Sequence, residues 1–233
     1  MALYAIGDLH LSLGTDKPMD IFGGGWINYL DKIKQGFEKL EPEDTCILCG
    51  DTSWGMSLSE SLADFLFIDS LPGKKIVLKG NHDYWWTTVS KMKAFFKAND
   101  IGSVDILHNN CFYYDSAAIC GTRGWFADDE LSAEQNKKIT AREVMRLQAS
   151  LQAASGASVI LCFFHYPPRF KNTVCNDIIS LMNEHDVRIC RYGHLHGEGH
   201  RLAVRGQVEG IEYDIVSADY VDFVPQRVEY EKQ

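Results

Sequence analysis

The sequence contains no apolar run approaching the ~18 residues that a membrane-crossing helix needs, so no helical span is expected. Its first residues, Met1-Ala2-Leu3-Tyr4-Ala5-Ile6, carry no basic segment and run directly into Gly7-Asp8. They do not read as a signal peptide, and a cytoplasmic protein is expected. Positive charge is scarce: 23 basic residues stand against 32 acidic ones, net −9, with never more than two basic residues adjacent. Nucleic-acid binders concentrate positive charge in a patch or stripe, so neither nucleic acid nor an anionic membrane surface is an expected partner. A paired cysteine framework is also missing. The seven cysteines are an odd number, scattered from 46 to 190. Only Cys46 and Cys49 form a C-x-x-C, and Thr45-Cys46-Ile47-Leu48-Cys49 reads as a strand, where residues three apart face opposite sides. The cysteines are therefore read as reduced, mostly buried small hydrophobes. Repeats, low-complexity segments and long linkers are absent, which predicts a single domain over 1–233. Phe22-Gly23-Gly24-Gly25 lacks the Lys-Ser/Thr that a P-loop requires and is read instead as the flexible rim of a pocket.

What is present is a regular alternation. Leu3–Ile6, Cys46–Cys49 and Lys75–Leu78 read as apolar strands. Between and after them lie helical spacings at Trp26, Leu30, Ile33, Phe37 and Leu40, at Leu58, Leu62, Phe65 and Leu66, and over Val89–Lys97. This β-α-β-α-β order favours a parallel sheet. The middle changes character. Phe112–Tyr114 and Ala117–Cys120 form a hairpin pattern, and Leu131–Ala153 reads as a long polar helix. Ser158–Phe164 and Arg188–Tyr192 are further strands, and 201–230 reads as mostly β, with turns near Glu209-Gly210 and Val224-Pro225. The expected class is α/β with a substantial antiparallel portion in two sheets packed face to face.

Each of five apolar strands ends in residues able to ligate a metal. These are Asp8 with His10, Asp51, Asn81 with His82, His165, and His194 with His196. Ligands in α/β folds bind at the carboxyl ends of strands, and five of the chain's eight histidines sit there. Each block alone has an ordinary explanation. Gly-Asp is a common turn, Asn-His-Asp an Asx turn, and a lone histidine on an apolar strand a satisfied core residue. Their joint occurrence in order has no such explanation.

Asp8-Leu9-His10, Gly50-Asp51, Gly80-Asn81-His82-Asp83, His165 and Gly193-His194-Leu195-His196 together resemble the calcineurin-like metallophosphoesterase superfamily. The resemblance spans residues 8 to 196. It implies a four-layer α/β/β/α sandwich with two central mixed sheets, the metallophosphoesterase fold. It further implies that Asp8, His10, Asp51 and His196 hold one metal, and Asp51, Asn81, His165 and His194 a second, with Asp51 bridging. His82 is then no ligand and faces the substrate. Oxygen and imidazole donors without thiolate suit manganese, iron or zinc. Two divalent ions ~3.5–4 Å apart clamp a phosphoryl group and lower the pKa of a bridging water to ~7. The expected activity is hydrolysis of a small phosphate mono- or diester by a metal-bridging hydroxide, with Asp51 and His82 as the catalytic pair and His82 as general acid. The acidic surface does not oppose such a substrate, because bound divalent cations reverse the local field.

Departures from the family pattern narrow this expectation. Protein Ser/Thr phosphatases of the family carry G-D-x-x-D-R-G. Here Gly50-Asp51-Thr52-Ser53-Trp54-Gly55 puts Trp54 where an aspartate would pair with the catalytic histidine, which argues against protein phosphatase activity and leaves open what orients His82. Arg123, between glycines, and Arg169, after His165-Tyr166-Pro167-Pro168, are the candidate phosphate-binding arginines, since a guanidinium grips phosphate bidentately; the ordinary alternative is a solvated surface arginine. Trp54, Tyr84-Trp85-Trp86 and Trp125-Phe126 are read as core before stacking walls. Pocket shape is assigned to loops 11–25, 52–57, 84–88 and 121–130. The competing functions are a nuclease, disfavoured by charge, and a non-catalytic scaffold of the same fold, disfavoured by the complete ligand set.

Overall fold

The computed structural model describes residues 1–126, 130–171 and 173–230. The first half supplies four parallel strands of a five-stranded sheet: β1 (Leu3–Ile6), β2 (Thr45–Leu48), β3 (Lys74–Val77) and β4 (Val104–Ile106). Helices α1 (Tyr29–Phe37), α2 (Leu62–Ser70) and α3 (Val89–Ala98) make the crossovers. β2 is buried along its whole length, as a strand covered on both faces must be. The second half forms a six-stranded sheet. It comprises β5 (Phe112–Tyr114), β6 (Ala117–Thr122), β7 (Val159–Phe164), β10 (Val187–Tyr192), β11 (Gly206–Val208) and β12 (Ile211–Ile215), with β6, β7, β10 and β12 parallel and an antiparallel strand at each edge. Helices α4 (Ala133–Gln152) and α5 (Asn176–Glu184) belong to this half, and β8 (Arg169–Phe170) with β9 (Thr173–Val174) makes a small separate hairpin. β13 (Gln226–Arg227) returns to complete the first sheet, antiparallel against β1.

Strand alternation sorts the core into three layers. In β2, Cys46 and Leu48 pack with Ile33, Phe37, Phe65 and Phe96 of α1–α3. Their neighbours Ile47 and Cys49 face the other way, against Ile119, Leu161 and Phe163 of the second sheet. The opposite faces of β6 and β7, Cys120, Cys162 and Phe164, meet Leu147 and Leu151 of α4 and Ile178 and Met182 of α5. The result is the α/β/β/α sandwich, with the sheet-to-sheet layer at its centre. Cys46 and Cys49 lie in different layers, so the C-x-x-C is no hook, and all seven cysteines are free.

Local chemistry explains two helix boundaries. α4 begins with a capping box, in which the Ser132 hydroxyl accepts from the Gln135 N–H and the Gln135 side chain accepts from the Ser132 N–H. α3 begins where the Thr88 hydroxyl accepts from the Lys91 N–H, while α2 begins at Leu62 rather than near Leu58. The tail is a correction. Its only strands are β11, β12 and β13; Ser217 makes a single bridge to Gly7, and 218–223 is turn instead of β. There the Ala218 N–H donates to the Gly7 carbonyl and the Phe223 N–H to the Ala218 carbonyl. These bonds fold the chain over the end of β1 and carry Asp219 to the sheet edge where the motif residues converge. Among the described residues no helix is long and apolar enough to cross a membrane.

Candidate metal centre

The parallel registers align the strand ends. Ile6 pairs with Leu48, Leu48 with Val77, and Phe164 with Tyr192. Immediately beyond, the backbone turns through the left-handed region at Asp8 (φ 59°), His10 (φ 48°), Asp51 (φ 50°) and His194 (φ 72°). Such conformations cost a non-glycine residue about 1–3 kcal/mol. The cost is offset locally: the Asp8 N–H donates to the Gly50 carbonyl (2.9 Å), the His10 N–H to the Asp51 carbonyl (2.9 Å) and the His194 N–H to the Asp8 carboxylate (2.9 Å). The motif glycines have a steric reason. A Cβ at Gly80 would overlap the Asp51 carboxylate, and one at Gly193 would overlap that of Asp8.

Seven residues from five strand ends meet in one place. On one side, His10 Nε2 lies 3.4 Å from His196 Nε2, and His196 Nε2 lies 3.6 Å from Asp8 Oδ1. On the other, His165 Nε2 lies 2.6 Å from Asn81 Oδ1 and 3.2 Å from His194 Nδ1. Asp51 stands between the groups, its Oδ2 at 3.8 Å from His10 Nε2 and 3.5 Å from His165 Nε2. Asp8, Asp51, His10 and His165 are all buried.

The protonation states tell what this cluster is for. The Cys49 carbonyl can only accept, so His165 Nδ1, 3.1 Å away, carries the proton. Its Nε2 lone pair then points at Asn81 Oδ1 and His194 Nδ1. His196 is held the same way, its Nδ1 at 2.8 Å from Asp219 Oδ1 with Nε2 turned inward. A carboxylate or carbonyl behind a ligating imidazole is the usual way to fix its tautomer. Burial pushes His165 and His194 down to about 3 and His10 well below its ordinary value, so these rings are neutral. Burial, with Asp83 and Asp8 nearby, raises Asp51. Burial would lower His196 too, but Asp219 and Asp8 outweigh it and hold the ring at about 10. Inward-facing lone pairs beside buried carboxylates call for positive charge, and the donor set fits divalent cations.

Trp54 replaces a carboxylate partner with ring contacts. It stacks on His10 at 5.0 Å and tilts against His82 at 4.5 Å between centroids. His82 Nδ1 is buried without a hydrogen-bond partner, while the His82 N–H donates to Asp51 Oδ1 at 2.8 Å. Asp83 does not orient His82. Its carboxylate, fully buried, accepts from the N–H groups of Asp51, Thr52, Ser53 and Gly80 and from Trp85 Nε1. One side chain thereby ties the loop after β2 to the loop after β3.

The candidate arginines have other partners. Arg123 pairs with Glu143 (3.4 Å) and lies over the Trp125 ring, while Arg169 pairs with Glu209 and lies over Tyr213. Neither lines the cleft of about 640 Å³ in front of His82, which His10, Met19, Phe22, Trp26, Trp54 and His196 enclose with Gly23–Gly25 as its rim. Trp85 and Trp125 are core, as their apolar neighbours predicted, whereas Trp54 walls this cleft. Of the loop 121–130, residues 127–129 lie outside the described residues. Sequence reasoning missed Asp219, which groups with His196 and His200, because it lies beyond the last motif.

Comparison with solved structures shows the same fold. The phosphopantetheinyl hydrolase PptH from Mycobacterium tuberculosis is 14% identical with a TM-score of 0.58, over 99% of this chain and 96% of that one. The protein TT1561 of Thermus thermophilus is 12% identical with a TM-score of 0.51, over 83% and 81%. No curated protein sequence matches. The family model described as calcineurin-like phosphoesterase matches residues 1–198, the stretch that carries all five motif blocks, and the chain belongs to that family.

Proposed function

We propose that this chain is a dimetal-dependent phosphoric ester hydrolase acting on a small phosphate mono- or diester. The observation that carries the reading is the convergence of imidazole nitrogens and buried carboxylates from five strand ends. Asp8, His10, Asp51 and His196 would hold one divalent ion, and Asp51, Asn81, His165 and His194 the other, with Asp51 shared. Manganese, iron and zinc fit the donors. Bound there, such ions supply Lewis-acid charge for phosphoryl oxygens and a nucleophilic water at neutral pH.

The chain's own residues do the rest. Asp51 accepts the His82 N–H and so fixes the backbone from which the imidazole projects. Trp54 keeps the His82 ring at the cleft wall. Burial holds His82 below its ordinary range, so at neutral pH the free ring is neutral. An anionic phosphate bound beside it favours its protonated form, and the ring then donates to the leaving oxygen as general acid. The cleft's lining of Met19, Phe22, Trp26 and Trp54 suits a compact ester with an apolar or aromatic group.

A metal-by-substrate screen tests the reading. It would combine Mn²⁺, Fe²⁺ and Zn²⁺ with aryl phosphates, bis-aryl phosphates, cyclic nucleotides and a phosphopantetheinyl diester, with DNA and RNA degradation as a separate arm. Metal-dependent turnover abolished by chelation is expected; no turnover of any ester with any ion overturns it.

A further inference from the structure

A second cavity of about 340 Å³ lies beside the metal centre, at the carboxyl ends of β3, β4 and β6 and against α4. Its chemistry is opposite in sign. Lys79, Arg123 and Arg146 line it, with Glu143 as its one carboxylate among the described residues, together with His108 and Asn109. In a chain of net charge −9, three cations converging on one hollow need an explanation.

Glu143 does not neutralise the hollow so much as organise it. The residue is 1% exposed; Oε1 takes Arg146 at 2.6 Å and Arg123 at 3.4 Å, and Oε2 takes the Thr122 hydroxyl at 2.5 Å. Two guanidinium groups are thereby set side by side with donors to spare. Arg123 Nε is buried and has no partner among the described residues. Among the described residues no carboxylate pairs with Lys79. The field inside is positive: after burial, Arg146 and Lys79 push His108 down against the opposing pull of Glu143. Paired arginines and a lysine at the ends of parallel strands match the needs of a phosphoryl group, which takes guanidinium bidentately and ammonium as a point charge.

We infer that this cavity is a second anion site that binds a phosphoryl group, held by Arg123, Arg146 and Lys79. The group could belong to free inorganic phosphate or to a second phosphate on a ligand that also reaches the metal centre. The inference does not rest on the proposed activity, because binding is read without turnover.

Titration calorimetry of the metal-loaded protein with inorganic phosphate tests it. Arg146→Gln should remove one phosphate site or weaken it by about tenfold or more, which is 1.4 kcal/mol or more, and leave binding at the metal centre in place. Arg146 is partly buried against Glu143, and a thermal melt checks that the variant folds. If it does not, Lys79→Gln carries the same test. Phosphate stoichiometry and affinity identical in wild type and folded variant overturn the inference. A series of alkane bisphosphonates separates the two sources. Tighter binding at one linker length, lost in Arg146→Gln, assigns the cavity to a two-headed ligand through effective concentration. No gain at any length, with the Arg146-dependent phosphate site retained, assigns it to free phosphate.

Discussion

The metal centre and the basic cavity share the end of one strand, yet one gathers lone pairs and carboxylates and the other gathers cations. β3 feeds both: Lys79 enters the cavity, and Asn81 and His82 enter the centre two and three residues later. What separates them is what stands behind the lining side chains. The Cys49 carbonyl takes the outer proton of His165 and leaves its inner nitrogen bare, and Asp219 fixes His196 from behind. In the cavity, Glu143 takes two guanidinium groups and leaves their remaining donors facing inward. The sign of a site is thus set one layer behind the residues that line it.

The comparison breaks most sharply at Asp51. Asp51→Ala should abolish metal binding at both proposed positions, read by metal analysis of purified protein, while the Arg146-dependent phosphate site persists. His82→Ala should keep its metal content and lose about 10²–10⁴ in turnover of an aryl phosphate; loss of metal would contradict its place outside the ligand set. Asp83→Ala should cost about 3 kcal/mol in urea unfolding, since it orphans several buried donors at once. Asp219→Asn should weaken metal affinity or turnover about 10–100-fold, the usual consequence of removing a carboxylate behind a ligating histidine. The smallest effect expected is from thiol alkylation at pH 8. Burial pushes Cys120 up to about 12 and raises Cys46, Cys49, Cys162 and Cys190 as well, so only half-buried Cys111 and Cys175 should react in the native protein, with metal content unchanged by mass spectrometry and metal analysis.

The convergence of the motif residues was legible in the sequence because each block sits where an apolar strand stops, and an apolar run followed by Gly-Asp or Gly-Asn-His is readable by eye. The sandwich was legible for the same reason. The cysteine spacing also read correctly, since strand alternation alone sends Cys46 and Cys49 to different layers. The partners of the arginines were not legible. Flanking glycines suggested a loop near a ligand for Arg123, but its partner Glu143 is twenty residues away on α4, a pairing that only the tertiary fold makes. The fate of Arg169 was likewise decided by Glu209, forty residues on. Asp219 had no signal either, because a turn in the tail returns it to His196 through a hydrogen bond from Ala218 to Gly7. The left-handed turns at Asp8, His10, Asp51 and His194 leave no mark in residue type, as none of them is glycine.

The Asp83 carboxylate, gripping the backbone on both sides of the centre, has a consequence for how the protein acquires its ions. Two of the loops that frame the site are held together by one side chain before anything enters, so loading should require little ordering there. A site framed this way neither folds around a chosen ion nor closes on it. With imidazole and carboxylate donors that accept several first-row ions, occupancy should follow the supply in the growth medium, and exchange should proceed without unfolding.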